Sequence, residues 1–359
     1  MTVFYVLLAI LMLAILIVVH ELGHYTAARL MKIEVREFAV GFGPKILGWK
    51  SKKYETDFSL RAIPLGGFCA FYGEDDPTGE SKDDPRAFSK QNVWKRMFTI
   101  LMGPVMNFVL AFVVAACFYL IGGVQTVTGV DPYIVSVTAS GPAHDAGMKD
   151  GDIITRVNGT DVLDGTTDTL IGMIDSWREG DDPLDITVLR GDETLQMELT
   201  PYFDEEENKM RIGVIIGGRY RTETVRVGPL EAIAGSWQYC VYAGGTIFEA
   251  LGNLVTKGEG LDQTSGPVGV ISLVTEQVQE YGFEMYIQLL VVISINLGIM
   301  NLLPIPGLDG SRLIFGIIEV IRGKPVPPEK EAIVHLCGMA LLFGLMIFFT
   351  FKDIIRLFN

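Results

Sequence analysis

The chain is poor in the residues that most often announce chemistry. It has only four histidines and four cysteines. Cys69, Cys117, Cys240 and Cys337 are scattered, form no CxxC and suggest no paired framework, which excludes a disulfide-stapled domain and a cysteine-built metal site. They read as small apolar packing residues. Positive charge is also short. The 29 Lys and Arg against 43 Asp and Glu leave a net charge of −14, which argues against a nucleic-acid partner. The first nineteen residues lack ionisable acids and bases altogether. A positive mean hydropathy then points to the bilayer and away from a set of soluble domains.

Four runs read as membrane spans. They cover Val3 to Met31, Met97 to Gly122, Met285 to Ile321 and Ala332 to Phe351, the third interrupted by Pro304, Ile305, Pro306 and Gly307. Each has at least the roughly twenty residues a helix needs to cross about 30 Å. The first has no basic leader and no small-residue cleavage site, so it is expected to be retained as a helix. Lys and Arg crowd between the first two spans, whereas the acids concentrate at 123–283, including Asp204 to Glu207. By the positive-inside rule the 32–96 loop is cytosolic, and the 123–283 region and both termini lie outside.

His20-Glu21-Leu22-Gly23-His24 stands at the inner end of the first run. Helical spacing puts His20 and His24 on one face at i and i+4, the separation two imidazoles need to grip one zinc ion. Glu21 lies beside them, placed to take a proton from water. Ionisable groups in hydrocarbon cost roughly 2.5 kcal/mol or more each, so three together demand a compensating role. A zinc hydrolase site needs a third protein ligand. Glu34 and Glu37 are near in sequence but follow too closely, in strand-like sequence. Asp309, in the Leu308-Asp309-Gly310 turn, reaches the same depth as His20 if both segments run from outside to inside. The alternative for Asp309 is a helix cap for 311–322. Pro304 and Pro306 forbid continuous helix, and irregular backbone at membrane depth belongs in protein or around a wet cavity. Asn301, just before it, offers an amide to a bound peptide.

Residues 33–73 alternate polar and apolar with frequent glycines and read as a small sheet of short strands near the membrane, followed by a polar loop over 74–90. Such a sheet could accept an unfolded peptide as an added strand. Residues 128–202 read as a separate soluble unit: a strand, a short helix near Ser140 to Ala143, and a second strand closed by Asn158-Gly159. The wording of this stretch resembles a PDZ domain. Residues 228–256 mix Trp237, Tyr239, Val241, Ile247, Phe248 and Leu251 with Glu231, Gln238 and Glu249, and read as a surface or interfacial helix on the outer side. His144 is expected at the surface, His335 at the membrane interface. Asn107, inside the second span, suits either helix packing or support of the active site.

Taken together, these motifs resemble the site-2 protease family, the intramembrane zinc metalloproteases of RseP/RasP type, nearly end to end. The resemblance rests on the His20–His24 motif, Gly41-Phe42-Gly43-Pro44, Ile63-Pro64-Leu65-Gly66-Gly67, Gly103-Pro104 with Asn107, the PDZ stretch, Ser265-Gly266-Pro267-Val268-Gly269, and Asn301 through Gly310. It implies Zn2+ bound by His20, His24 and Asp309, and Glu21 as catalytic acid/base. It also implies substrate positioned by the 33–73 sheet, Gly66 and Gly67 included, and by Asn301, Pro304 and Pro306. The single PDZ unit is similar to that of the shorter Gram-positive members.

The expected architecture is a multi-pass α-helical membrane protein of four transmembrane helices, with a membrane-associated β-sheet and an inserted α+β PDZ domain. Its segments are 1–32 (first helix), 33–96 (cytosolic β region and loop), 97–122 (second helix), 123–202 (extracytoplasmic PDZ domain), 203–283 (amphipathic helix region), 284–322 (third helix) and 331–359 (fourth helix). The implied partners are the lipid bilayer and already trimmed single-span membrane proteins, such as anti-sigma factors or remnant signal peptides, with the PDZ unit meeting their outer ends. The active site is expected near the cytosolic side of the cell membrane. Two rivals differ in what they require. An inactive membrane-anchored scaffold leaves Glu21 and Asp309 buried without purpose, and a metal transporter needs a second rank of charged residues that the spans do not contain.

Overall fold

A computed structural model describes residues 2–74, 84–163, 167–205, 207–260 and 264–358. Most of the polar loop expected over 74–90, and part of the acidic run at 204–207, lie outside the described residues. The chain divides into two units, Met1–Ile121 with Gly228–Asn359, and Gly122–Val227.

The first unit opens with α1 (Thr2–Met31), an apolar helix carrying both imidazoles near its C-terminal end. Strands β1 (Val35–Lys50) and β2 (Asp57–Phe71) follow. They are longer than the short strands expected, because each bends and pairs twice. Val35–Val40 runs between Gly67–Phe71 on one side and Asp57–Leu60 on the other, and Leu47–Lys50 pairs outside Asp57–Leu60. Among the described residues, Gly67–Phe71 is therefore a sheet edge with no further strand beside it. Tyr25 of α1 packs edge-on against Phe38 and Phe58 and holds the sheet to the helix. Helix α2 (Val93–Gly122) begins four residues before the expected span and contains Pro104.

The second unit comprises β3 (Val124–Val137), α3 (Pro142–Asp145), β4 (Ile153–Val157), β5 (Thr160–Asp161), α4 (Thr167–Asp175), β6 (Leu184–Arg190), β7 (Glu193–Leu199), β8 (Tyr202–Asp204), β9 (Lys209–Arg211) and β10 (Val214–Val225). Its main sheet runs β10-β3-β4-β6-β7 over a core that includes Ile134, Ile154, Leu170, Ile186 and Val188. Asn158 and Gly159 both have positive φ, the geometry of the tight turn their pairing suggests. The expected end of this unit at 202 is too early. β10 pairs with β3 from Val214↔Val137 to Val225↔Val124, so the unit closes only at Val227. A strand whose partners lie 77 to 101 residues away carries no local mark of membership.

The chain then returns to the first unit through α5 (Pro229–Lys257), α6 (Pro267–Tyr281), α7 (Phe283–Leu302), α8 (Asp309–Arg322) and α9 (Pro328–Phe358). The third expected span is thus two helices with non-helical backbone at 303–308 between them. Four helices among the described residues are long and apolar enough to cross a membrane: α1, α2, α7 and α9. Helix α5, expected as a surface or interfacial helix, packs one face against other helices. Ala243 packs with Ala111 and Ala115 of α2 and with Val291, Ile295 and Ile299 of α7, so the helix lies along two spans. Its buried stripe is small, Ala232, Ser236 and Ala243, while Trp237, Val241 and Phe248 face outward. Tyr239, Ile247 and Leu251 pack beside that small stripe, so the large residues of the expected amphipathic pattern divide between the packed and the outward face. The Ser265–Gly269 motif also gains a physical role. Asp353 of α9, buried, accepts the Gly266 and Gly269 N–H groups at 2.9 and 2.8 Å, capping α6.

Candidate active site

Helical spacing on α1 delivers His20, Glu21 and His24 as a buried group. Two close approaches let other elements reach them. A Cβ on Gly23 would lie 2.1 Å from the Met102 carbonyl oxygen, and one on Gly103 would lie 2.3 Å from His24 Nε2, so only glycine allows α1 and α2 to touch here. The turn at 303–308 ends on Asp309, the first residue of α8. Leu308 occupies the cap position and no side chain caps the helix, so the Asp309 carboxylate is not used as a cap. It points instead at both imidazoles.

Asp309 Oδ2 lies 3.1 Å from His20 Nε2 and 3.3 Å from His24 Nε2, and the two Nε2 atoms are 3.2 Å apart. These three potential ligands form one cluster. Donor atoms on a tetrahedral zinc ion with bonds of about 2.0–2.1 Å are separated by about 3.3 Å, and the observed triangle has that size. Although both imidazoles are within ion-pair distance of Asp309 Oδ2, neither contact has hydrogen-bond geometry, and this buried oxygen is left without a donor. Two imidazole nitrogens converging with a carboxylate oxygen that has no donor are a set that fits zinc.

The outer faces of the imidazoles are held by α2. His24 Nδ1 donates to the Thr99 carbonyl at 3.0 Å, which fixes the tautomer with Nε2 free for a metal. Asn107 lies with its amide nitrogen 3.1 Å from His20 Nδ1, and its buried Oδ1 has no partner. Half a turn of the amide sets Oδ1 to accept from Nδ1–H, satisfying that oxygen and freeing His20 Nε2 in the same way. Of the two roles open to Asn107 in the sequence, the geometry favours support of the site. Ser294 of α7 fixes the Asn107 backbone by donating to its carbonyl at 2.8 Å.

Glu21 faces the sheet. A Cβ on Gly67 would lie 3.2 Å from Glu21 Cγ and 2.9 Å from Ile17, so the free edge of β2 runs directly beside the glutamate. Gly66, with φ of 96°, turns the strand there and packs under Phe42. Pro304 and Pro306 lie in the non-helical turn that presents Asp309, and a Cβ on Gly310 would strike the Leu302 and Leu303 carbonyls at 2.3 Å, which shows how closely α8 folds back on α7. Asn301 Nδ2 donates to the Leu297 carbonyl of its own helix at 3.0 Å, which leaves its second N–H and its Oδ1. His144 is an exposed residue beside Asp145, and His335 packs near Phe315. Thr99 was not legible in the sequence, because a backbone carbonyl leaves no trace in residue identity.

Comparison with known proteins gives the family. The pattern of peptidase family M50 matches residues 8–345. The Regulator of sigma-W protease RasP of Bacillus subtilis is 34% identical over 421 residues, covering 96% of this chain and 96% of the relative. Zinc metalloprotease RasP of Bacillus licheniformis is 31% identical over 428 residues, covering 97% and 98%. The crystal structure of the PDZ domain of an SdrC-like protein from Listeria monocytogenes is 27% identical and covers 25% of this chain and 90% of its own, with a TM-score of 0.22 from which no likeness of fold is drawn. With the family pattern running through nearly the whole chain, the protein belongs to peptidase family M50, the site-2 protease family, and is a zinc metalloprotease.

Proposed function

We propose that this protein cleaves the transmembrane segments of single-span membrane proteins whose outer domains have already been removed. His20, His24 and Asp309 hold the metal, and Glu21 is the acid/base. Zinc in this position supplies Lewis acidity toward a peptide carbonyl and toward water. Glu21 takes the proton of the attacking water and returns it to the leaving amine. The observation that carries the reading is the meeting of three metal-donor atoms within 3.3 Å of one another, contributed by helices from opposite ends of the chain.

A transmembrane helix hides its peptide bonds in its own hydrogen bonds, so a substrate must unwind before attack. The free edge at Gly67–Ala70 supports a way to hold it extended: its backbone groups can pair with an unwound segment beside Glu21. Gly66 and Gly67 keep side chains out of that path, and Asn301, Pro304 and Pro306 bound it near Asp309. The basic 32–96 segment faces the cytosol and the acidic 123–227 unit the outer side, by the charge rule. The second unit is read as a PDZ domain that meets the outer ends of substrates and disfavours those not yet trimmed. The B. subtilis relative is named as a regulator of sigma-W, which favours anti-sigma factors among the candidate substrates, with remnant signal peptides as a second class.

The test is co-expression of tagged single-span proteins with the wild type or with Glu21→Gln. A truncated, membrane-held fragment is expected to accumulate with the variant and to be consumed by the wild type, a difference of about 10²- to 10⁴-fold in cleavage rate. Equal fates in the two strains would overturn the reading.

A further inference from the structure

One ion pair joins the two parts of the proposed site, and neither partner is a metal ligand or the acid/base. Arg312 stands one helical turn after Asp309 on α8, and its guanidinium pairs with the Glu74 carboxylate. The other oxygen of Glu74 accepts the backbone N–H of Phe71, the last residue of β2, at 3.3 Å. Phe71 is itself fixed, buried and stacked on Phe88 with ring centres 4.7 Å apart. Four residues back along the same strand is Gly67, pressed against Glu21. The far end of α8 is tied separately, by Glu319 to Arg96 of α2. Helix α8 is thus anchored to α2 at one end and to the substrate edge at the end that bears Asp309.

We propose that Arg312 and Glu74 are positioning residues that set the register between the edge strand and the metal-holding turn, and so choose which peptide bond is cut. The proposal rests on the proteolytic reading of the site. Both side chains are partly buried, Glu74 at 13% exposure and Arg312 at 31%, so the pair is better shielded from water than a surface ion pair. Register matters because a displacement of about 1 Å in a reacting bond lowers rate by about 100-fold. Glu74 acts on Phe71 through a hydrogen bond to backbone, which orients the strand without dictating any side chain of the substrate.

The experiment uses the full-length zinc-loaded protein and a tagged single-span model substrate with a short outer stub. Arg312→Gln is expected to keep its zinc, to spread cleavage over neighbouring peptide bonds, and to lower kcat by about 10- to 100-fold with a smaller change in KM. Without substrate, amide hydrogen exchange at Cys69–Phe71 should quicken at least about tenfold, as expected where a local tether is released. The reversed pair, Arg312→Glu with Glu74→Arg, should restore both the single cleaved bond and slow exchange. Unchanged exchange with an unchanged cleaved bond in Arg312→Gln overturns the proposal, as does activity lost only in proportion to zinc. A Glu21→Gln control separates the two ideas. If it cleaves as well as the wild type, the proteolytic reading fails, and the exchange measurement still decides the tether.

Discussion

Asp152 and Asp309, one in each unit, show how differently the same side chain is used. Asp152 in the second unit is wholly enclosed and satisfied. Arg190 donates to its two oxygens at 2.8 and 2.9 Å, and the Lys149 N–H adds a third bond at 2.9 Å. Burial alone pushes this carboxyl up, but the Arg190 guanidinium and the Lys149 N–H outweigh it and hold the group below the usual carboxylate range. Asp309 in the first unit faces two imidazoles with one oxygen lacking any donor. A carboxylate that finds a cation of its own chain is structural. One that converges with other lone-pair donors on a common point asks for a cation from outside.

The sharpest way to break this contrast is to remove Asp309. Asp309→Ala should cut bound zinc well below one per chain and abolish cleavage, with the helices still folded. Elemental analysis beside a cleavage assay checks it, and full zinc retention would mean the ion sits elsewhere. Asp152→Ala should act in the opposite sense. It should destabilise the second unit by about 2–3 kcal/mol, seen in thermal or denaturant unfolding, while zinc content stays unchanged. A smaller effect comes from the residue that orients an imidazole. Asn107→Leu should weaken zinc binding by about 10- to 100-fold in a competitive chelator titration, because His20 loses its Nδ1 partner. An unaltered affinity would return Asn107 to a packing role.

Much of the site is legible in the residue order because its chemistry is local or carries a depth. The i, i+4 spacing of His20 and His24 needs only a helix, and Asp309 can be matched to them by counting residues into two parallel spans. The errors lie where partners are remote or unusual. Helix α5 buries its small residues Ala232, Ser236 and Ala243 most deeply, and of its large residues packs Tyr239, Ile247 and Leu251 but not Trp237, Val241 and Phe248. The second unit runs past 202 because β10 completes a sheet begun at β3. The link from Arg312 to Glu74 joins residues 238 positions apart and has no periodic signal at all.

What the sequence alone determined is the inventory: which helices are apolar enough to span, which face of α1 carries the imidazoles, and which proline-broken turn brings a carboxylate. Tertiary structure decided the rest. It closed three donor atoms to one ion's spacing, set Thr99 and Asn107 behind the imidazoles, and laid the edge of β2 beside Glu21. The physical reason is that hydrophobicity and periodicity act along the chain within a few turns. Catalytic distances are set by contacts between helices and strands that meet only after the chain has folded.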